Sequence, residues 1–416
     1  MMPPLEAYAG AAGAEVIDHL RQLARPLAGA SVVHVNSTAV GGGVAEILSR
    51  LVPLKRELGL QASWEIAEGN AGFFAVTKGF HNALQGNPVD LPRAKLDDYV
   101  EVNRRNAERL AAKLEEADFV LVHDPQPAAL IRFCPGRKGK WIWRCHIDVS
   151  GPHRPVWKFL RDFIREYDAS VFSLASFAQP LARPQYVIPP SIDPLSDKNV
   201  PLEPSEVAAT AERFGLDPLR PVVLQVSRFD RFKDPVGVIR AYRLARRHVP
   251  IQLVLAGGSA DDDPEGETVL AAAREEAGKD PDIHLLLLSP DAHRTVNALQ
   301  RRADIVLQKS IREGFGLTVT EALWKEKPVI GGETGGIVLQ VVNRHTGYLV
   351  NTPEGAAFRI RYLLSRPRLR ERMGRKGRRF VRENFLLTRQ LREYLTMMLQ
   401  LRHGASDPVE IPWNRP

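Results

Sequence analysis

Only two cysteines, Cys134 and Cys145, occur in 416 residues. Two thiols cannot build a disulfide framework, and their spacing fits no zinc motif. Long apolar runs are missing too: no stretch of about 18 apolar residues occurs, so no membrane-spanning helix is expected. The opening segment, MMPPLEAYAGAAGAEVIDHL, has no basic start ahead of an apolar core, so a secretory signal is not expected either. These absences together point to a cytoplasmic protein without a membrane partner. Aromatic residues make up only 7% of the chain, and no nucleic-acid-binding module is legible. The formal charge of +8 leaves an acidic ligand open. Its concentration in RIRYLLSRPRLRERMGRKGRRFVREN reads as a solvated basic face, because Glu371 and Glu383 interrupt it and Leu363, Leu364 and Leu369 form an apolar stripe. Nucleic acid is therefore not an expected partner.

The chain has the 44% hydrophobic and 25% charged content of a soluble globular protein, and its length asks for two domains. Short apolar runs alternate with amphipathic stretches in both halves. In the first, SVVHVN (31–36), FVLVHD (119–124), WIWRCHID (141–148) and SVFSLA alternate with helical patterns. In the second, PVVLQVS, IQLVLAGG, IHLLLL, ADIVLQ and PVIGG do the same. Strands joined by helices imply parallel sheets covered on both faces. The Pro-rich passage VIPPSIDPLSDKNVPLEP (187–204) reads as a linker. The expected fold is α/β, with two doubly wound Rossmann-like domains facing an interdomain cleft. The first spans 1–195 and the second 196–387, with an amphipathic terminal helix in 388–416 packing back on the first. In such sheets ligands sit beyond the C-terminal strand ends.

The residues that carry chemistry follow predicted strands. Gly41, Gly42 and Gly43, after the first strand, open a helix whose N-terminus offers N–H groups to an anion. This cluster is not a G-x-G-x-x-G fingerprint, and no G-x-x-x-x-G-K-[ST] occurs anywhere. In SRFDRFKDP, Arg228 and Lys233 stand ahead of a helix that Asp234 and Pro235 open, and two cations there suit a diphosphate. His146 and Asp148 alternate after WIWR, and HDPQPAAL from His123 is a similar strand-end loop. In SIREGFGLTVTEALWKEKPVIGG, Glu313 stands beside Gly314, Phe315, Gly316 and Leu317, whose backbone N–H groups can point outward. Glu321 lies just inside the next helix. A carboxylate with several N–H donors matches a sugar, whose hydroxyls donate and accept, and a second carboxylate suits a ribose. Asp261 and Asp263 in ADDDPEGE read as turn and cap residues rather than metal ligands, so no metal site is expected. Asn36, His81 and Asp148 are acceptor-site candidates by position alone.

The pair Glu313 and Glu321 around GFGL, with SRFDRFK upstream, resembles the donor site of retaining GT-B glycosyltransferases. HVNSTAVGGGVAEIL, VTKGFHNALQGN, VHDPQPAAL, WRCHID and PPSIDPLSDKN narrow the resemblance to the glycosyltransferring trehalose synthases, or trehalose transferases, from about Ser31 to Phe385. The set is shared with fungal-type trehalose phosphorylases, whose chains are much longer. The resemblance implies transfer from NDP-glucose to glucose, giving α,α-trehalose and NDP with retention. Arg228 and Lys233 would neutralise the leaving diphosphate, bordered by Gly42 and Gly43. Glu313 would hold donor hydroxyls, Glu321 the ribose, and His146 the donor sugar near its reacting face. No tightly bound cofactor is expected; Mg2+ would stimulate only through the nucleotide. A homodimer is kept as an option. The competing readings are a trehalose phosphorylase, another retaining GT-B transferase with a different acceptor, and a basic nucleic-acid-binding protein. Relatives in that superfamily commonly carry Gly after the phosphate lysine; here it is Asp234, whose charge must turn away from the diphosphate. Glu333 in GGETGG adds a further charge.

Overall fold

The computed structural model describes residues 3–39, 42–258 and 264–404. They divide into two compact units: the described residues up to Ser191 with those from Leu387 onward, and Ile192–Leu386. The first unit holds strands β1 (Ser31–Asn36), β2 (Gln61–Ile66), β3 (Phe119–His123), β4 (Lys140–Arg144), β5 (Ala169–Phe172) and β6 (Gln185–Val187). They form one parallel sheet in the order β2-β1-β3-β4-β5-β6. The second holds β7 (Val222–Val226), β8 (Gln252–Gly257), β9 (Ile283–Leu287), β10 (Ile305–Gln308), β11 (Val329–Gly332) and β12 (Gly347–Val350). Their order, β12-β11-β10-β7-β8-β9, is again fully parallel. The central strands are buried along their whole length, as a sheet covered on both faces requires.

Each sheet reverses its winding once, between β1 and β3 in the first unit and between β7 and β10 in the second. Strand order turns there because successive right-handed crossovers leave in opposite directions, opening a crevice at the C-terminal strand ends. Arg228 and Lys233 follow β7, and Glu313 follows β10.

Of the four edge strands only β9 was read from the sequence; β2, β6 and β12 carry mixed or short patterns (QASWEI, QYV, GYLV) that periodicity alone does not single out. The passage 187–204 is not a loose tether. Residues 188–194 are buried, and the carbonyls of Pro189 and Pro190 accept from one Arg389 nitrogen at 2.9 and 3.0 Å. Arg389 lies on the helix Leu387–Arg402. Ser191 Oγ also donates to Gln390 Oε1 at 2.6 Å. Proline has no N–H to donate but keeps its carbonyl, and a buried carbonyl needs a donor.

Candidate functional site

The second unit builds its polar centre from two strand ends. Beyond β7 the chain makes one turn of 3-10 helix, Arg231–Lys233, capped by Asp230, whose Oδ1 accepts from the Phe232 N–H at 2.7 Å. The next residue, Asp234, is left-handed (φ 49°) and caps the helix Pro235–Arg246, accepting from Gly237 N–H at 3.1 Å. Lys233 is thereby aimed at Glu313, its Nζ donating to Oε2 at 2.6 Å. The same oxygen accepts from Ser310 Oγ at 3.1 Å and Gln308 Nε2 at 3.3 Å. The Lys233 and Glu313 side chains are 17% and 9% exposed, so the pair is nearly desolvated, whereas Arg228 is 62% exposed and makes only a 3.4 Å contact with Asp230. The ion pair is neutral as a unit, and the more exposed Arg228, on the same segment after β7, is a further cation for an anionic ligand.

The Glu313 loop is held by glycines. Gly316, at φ 82°, turns the chain into the helix Leu317–Trp324. Gly335, at φ 48°, passes so close that a Cβ there would stand 1.6 Å from the Glu313 carbonyl oxygen. Gly336 N–H donates to the Gly314 carbonyl at 3.1 Å. The Phe315 ring turns inward, 5.7 Å from that of Phe385, so it anchors the loop. Leu317 opens a helix at which the Val319 N–H donates to the Gly316 carbonyl at 2.9 Å, and the first N–H groups of a helix point out of its end.

Glu321, on the same helix, is buried. Gln300 Nε2 approaches its Oε2 at 3.5 Å. One turn on, Lys325 donates to the Glu321 carbonyl at 3.1 Å and to Asn199 Oδ1 at 3.0 Å. Burial pushes Lys325 down to about 7, while the Glu321 carboxylate pulls the other way.

Several residues that shape this centre escaped the sequence reading. Gln225 on β7 donates to the Lys233 carbonyl at 2.9 Å and accepts from Lys309 N–H at 3.0 Å. Gln308 on β10 bridges Glu313 and the Thr318 hydroxyl, which donates to its Oε1 at 3.0 Å. The signal was a glutamine late in each of two apolar strands, VVLQV and IVLQ; a buried amide needs partners on both ends. Lys309, also buried, pairs with Asp234 Oδ2. That pair answers the charge of Asp234 where the resemblance leads one to expect glycine. Glu333 is exposed and accepts from Asn351 Nδ2 at 2.9 Å.

In the first unit, Gly42 and Gly43 begin the helix Gly42–Glu57, while Gly41 lies outside the described residues, as do Asp261 and Asp263. Asn36 ends β1, buried, and donates to the Thr38 carbonyl at 3.0 Å. Asp148 caps its own turn, accepting from Ser150 N–H at 2.9 Å and Ser150 Oγ at 2.6 Å. His81 is exposed in the last turn of the helix Ala71–Leu84, with a ring nitrogen 2.6 Å from Gln85. The structure thus leaves these three acceptor candidates in separate local settings.

His146 has a more elaborate one. Its backbone N–H donates at 2.7 Å to Asp124 Oδ1. Asp124 is left-handed (φ 62°), takes the Trp143 indole on its carbonyl at 3.0 Å, and has its carboxyl pushed up to about 6 by burial. His146 Nε2 is 3.0 Å from His123 Nδ1, and His123 Nε2 is 2.9 Å from His34 Nδ1.

Residues 34–179 match the family model for the trehalose synthase N-terminal domain, and 208–380 match that for group 1 glycosyl transferases. A trehalose synthase of Pyrococcus horikoshii is 48% identical over 402 residues, 95% of this chain and 96% of that one. One from Rubrobacter xylanophilus is 47% identical over 393 residues, 93% and 94% of the two chains. A trehalose phosphorylase of Pleurotus pulmonarius is 28% identical over 86% of this chain but 55% of its own. Among solved structures, an α,α-trehalose 6-phosphate synthase from Burkholderia multivorans superposes with a TM-score of 0.73 at 18% identity, covering 91% of this chain and 100% of that one.

Proposed function

Because the chain belongs to the trehalose synthase family and has the GT-B glycosyltransferase fold, we propose that it moves glucose from NDP-glucose to glucose, forming α,α-trehalose and NDP with retention. The observation that carries this reading is the nearly desolvated Lys233–Glu313 pair at the strand ends where the second sheet reverses, with Arg228 on the same segment as Lys233. Cleavage of the anomeric C–O bond sends its electron pair to the diphosphate and leaves positive charge on the sugar. Arg228 and Lys233 stabilise the diphosphate as that charge grows, and fixed donors act most strongly in a water-poor site. The acceptor hydroxyl adds to the anomeric carbon from the face the diphosphate leaves, and its proton passes to a diphosphate oxygen. Products are trehalose and NDP, with atoms and charge balanced.

In this proposal Glu313 accepts from donor-sugar hydroxyls while orienting Lys233, and Glu321 accepts from the ribose. Backbone N–H groups of 314–317 face the donor, Gly42 and Gly43 border the diphosphate, and His146 touches the donor sugar. Among the described residues no cluster of three or more His, Cys, Asp or Glu could hold a metal. Any Mg2+ would travel with the nucleotide's phosphates. Among those residues, too, no helix is long and apolar enough to cross a membrane.

The test is incubation of the purified protein with glucose and, separately, ADP-, UDP- and GDP-glucose, read by the anomeric proton signals. The expected result is α,α-trehalose with one NDP per disaccharide. Silence with all three donors, but glucose 1-phosphate from trehalose and phosphate, would replace the proposal with a phosphorylase.

A further inference from the structure

The chain of imidazoles behind His146 has a fourth member. Lys55, on the helix Gly42–Glu57, places Nζ 2.7 Å from His34 Nε2. The sequence of contacts is therefore Lys55 Nζ, His34 Nε2 and Nδ1, His123 Nε2 and Nδ1, and His146 Nε2. The sheet makes this path. His34 is level with Leu121 on β3, two residues below His123, and His123 is level with Arg144 on β4, two residues below His146. Alternate residues of a strand share a face, so the three rings climb one face of three adjacent strands. Neighbouring ring centroids are 5.3 Å apart, with interplanar angles of 23° and 20°. Lys55, His34 and His123 are fully buried, and only at His146 does the chain reach partial exposure.

The polarity of such a chain follows from its end. An ammonium has three donors and no acceptor, and a neutral imidazole has one of each. Lys55 therefore donates to His34 Nε2, which leaves the His34 proton on Nδ1 to donate to His123 Nε2. The same logic puts the His123 proton on Nδ1, donating to His146 Nε2, and the His146 proton on Nδ1. We infer that Lys55 is a positioning residue, which acts through His34 and His123 to lock His146 as an Nδ1–H donor towards its ligand and deny it the role of a base.

The surroundings keep the rings neutral. Burial lowers His34 and His146 well below the ordinary imidazole value and His123 to about 3. Lys55 adds to this at His34 and His123, and Arg144 at His123 and His146. Burial brings Lys55 down to about 7, and a pH below that favours its ammonium form. From the helix Leu387–Arg402, Tyr394 sets its ring 4.9 Å from Lys55 Nζ, and the Glu393 carboxylate on that helix is paired with Arg389. Asp124, beyond β3, is taken up by the His146 backbone N–H. A fixed donor suits a sugar oxygen, because it offers direction without a net charge to repel the cationic sugar of the transition state.

The inference rests on the proposed function only in giving His146 a sugar to touch; the tautomers are measurable without any substrate. Solid-state nitrogen NMR of the full chain at pH 6, labelled with [δ1-15N]histidine and assigned by single His→Gln variants, reads them directly. The expected result is protonated Nδ1 on His34, His123 and His146. A bare Nδ1 or an imidazolium on any of the three overturns the proposal, whether or not trehalose is formed. In Lys55→Met, His146 should shift towards the Nε2–H form although two imidazoles separate the two residues. Its kcat should fall about tenfold, the order of one lost hydrogen bond, with KM for the nucleotide sugar within about twofold. Lys55→Gln, whose amide donates, should restore the tautomer. Unchanged tautomers in Lys55→Met would also sink the idea, and if that variant fails to fold the native spectrum decides alone.

Discussion

The two units share one plan, six parallel strands with a single reversal, though two strands lie on one side of it in the first unit and three in the second; they put opposite chemistry at that reversal. In the second, formal charges meet at the strand ends: Lys233 with Glu313 and Lys309 with Asp234. In the first, the strand ends carry neutral imidazoles in a hydrogen-bonded file, with the one ammonium kept at its buried end. Under the proposed function Lys233 meets the diphosphate and His146 the sugar, and the difference suits those two contacts. A diphosphate gains charge as it leaves and is stabilised by cations, whereas a sugar bears hydroxyls that need direction more than charge. A shared scaffold sets where ligands sit, and the residues grafted on its loops set which chemistry occurs there.

The contrast breaks most sharply at Lys233. Lys233→Ala should lower kcat by about 10²–10³, roughly 3–4 kcal/mol, as removal of a preorganised donor does. Steady-state kinetics near those of the native chain would remove the charged centre from the mechanism. A smaller effect is expected at the second charged pair. Lys309→Met leaves the Asp234 carboxylate without its buried partner, and since Asp234 is 26% exposed the loss should be about 1–3 kcal/mol of unfolding free energy. Asp234→Gly on that background should recover stability, because glycine accepts the left-handed backbone and removes the orphaned charge. Additive losses in a urea-unfolding cycle would show that the two residues are not coupled. The mildest change belongs to Glu321→Ala: KM for the nucleotide sugar should rise about tenfold with kcat little altered, the pattern of lost uniform binding. An unchanged KM would move the ribose contact to another residue.

Much of this arrangement was legible in the sequence. The runs SVVHVN, VVLQV and IVLQ are β-branched and apolar, and they became β1, β7 and β10. Glu313 beside glycines and Lys233 before a capped helix also stood out, since polar residues after buried strands fall at the sheet's C-terminal edge. The contact between them did not, as 80 residues separate the two. His34 was hidden as one histidine in an apolar strand. Lys55 was hidden on the apolar stripe of its helix, where Leu48 and Leu51 precede it. A lysine on the buried face of an amphipathic helix is a sequence signal worth following, because burying an ammonium is costly without a partner.

Local patterning by itself determined the α/β class, the strand–helix alternation in each half and the loops that carry charge, because periodicity and turn chemistry act over a few residues. Only the tertiary structure decided the strand order, the partners of Glu313 and Asp234, and the file of histidines from Lys55 to His146. Those depend on which strands become neighbours and in what register, and register brings together side chains far apart in the chain.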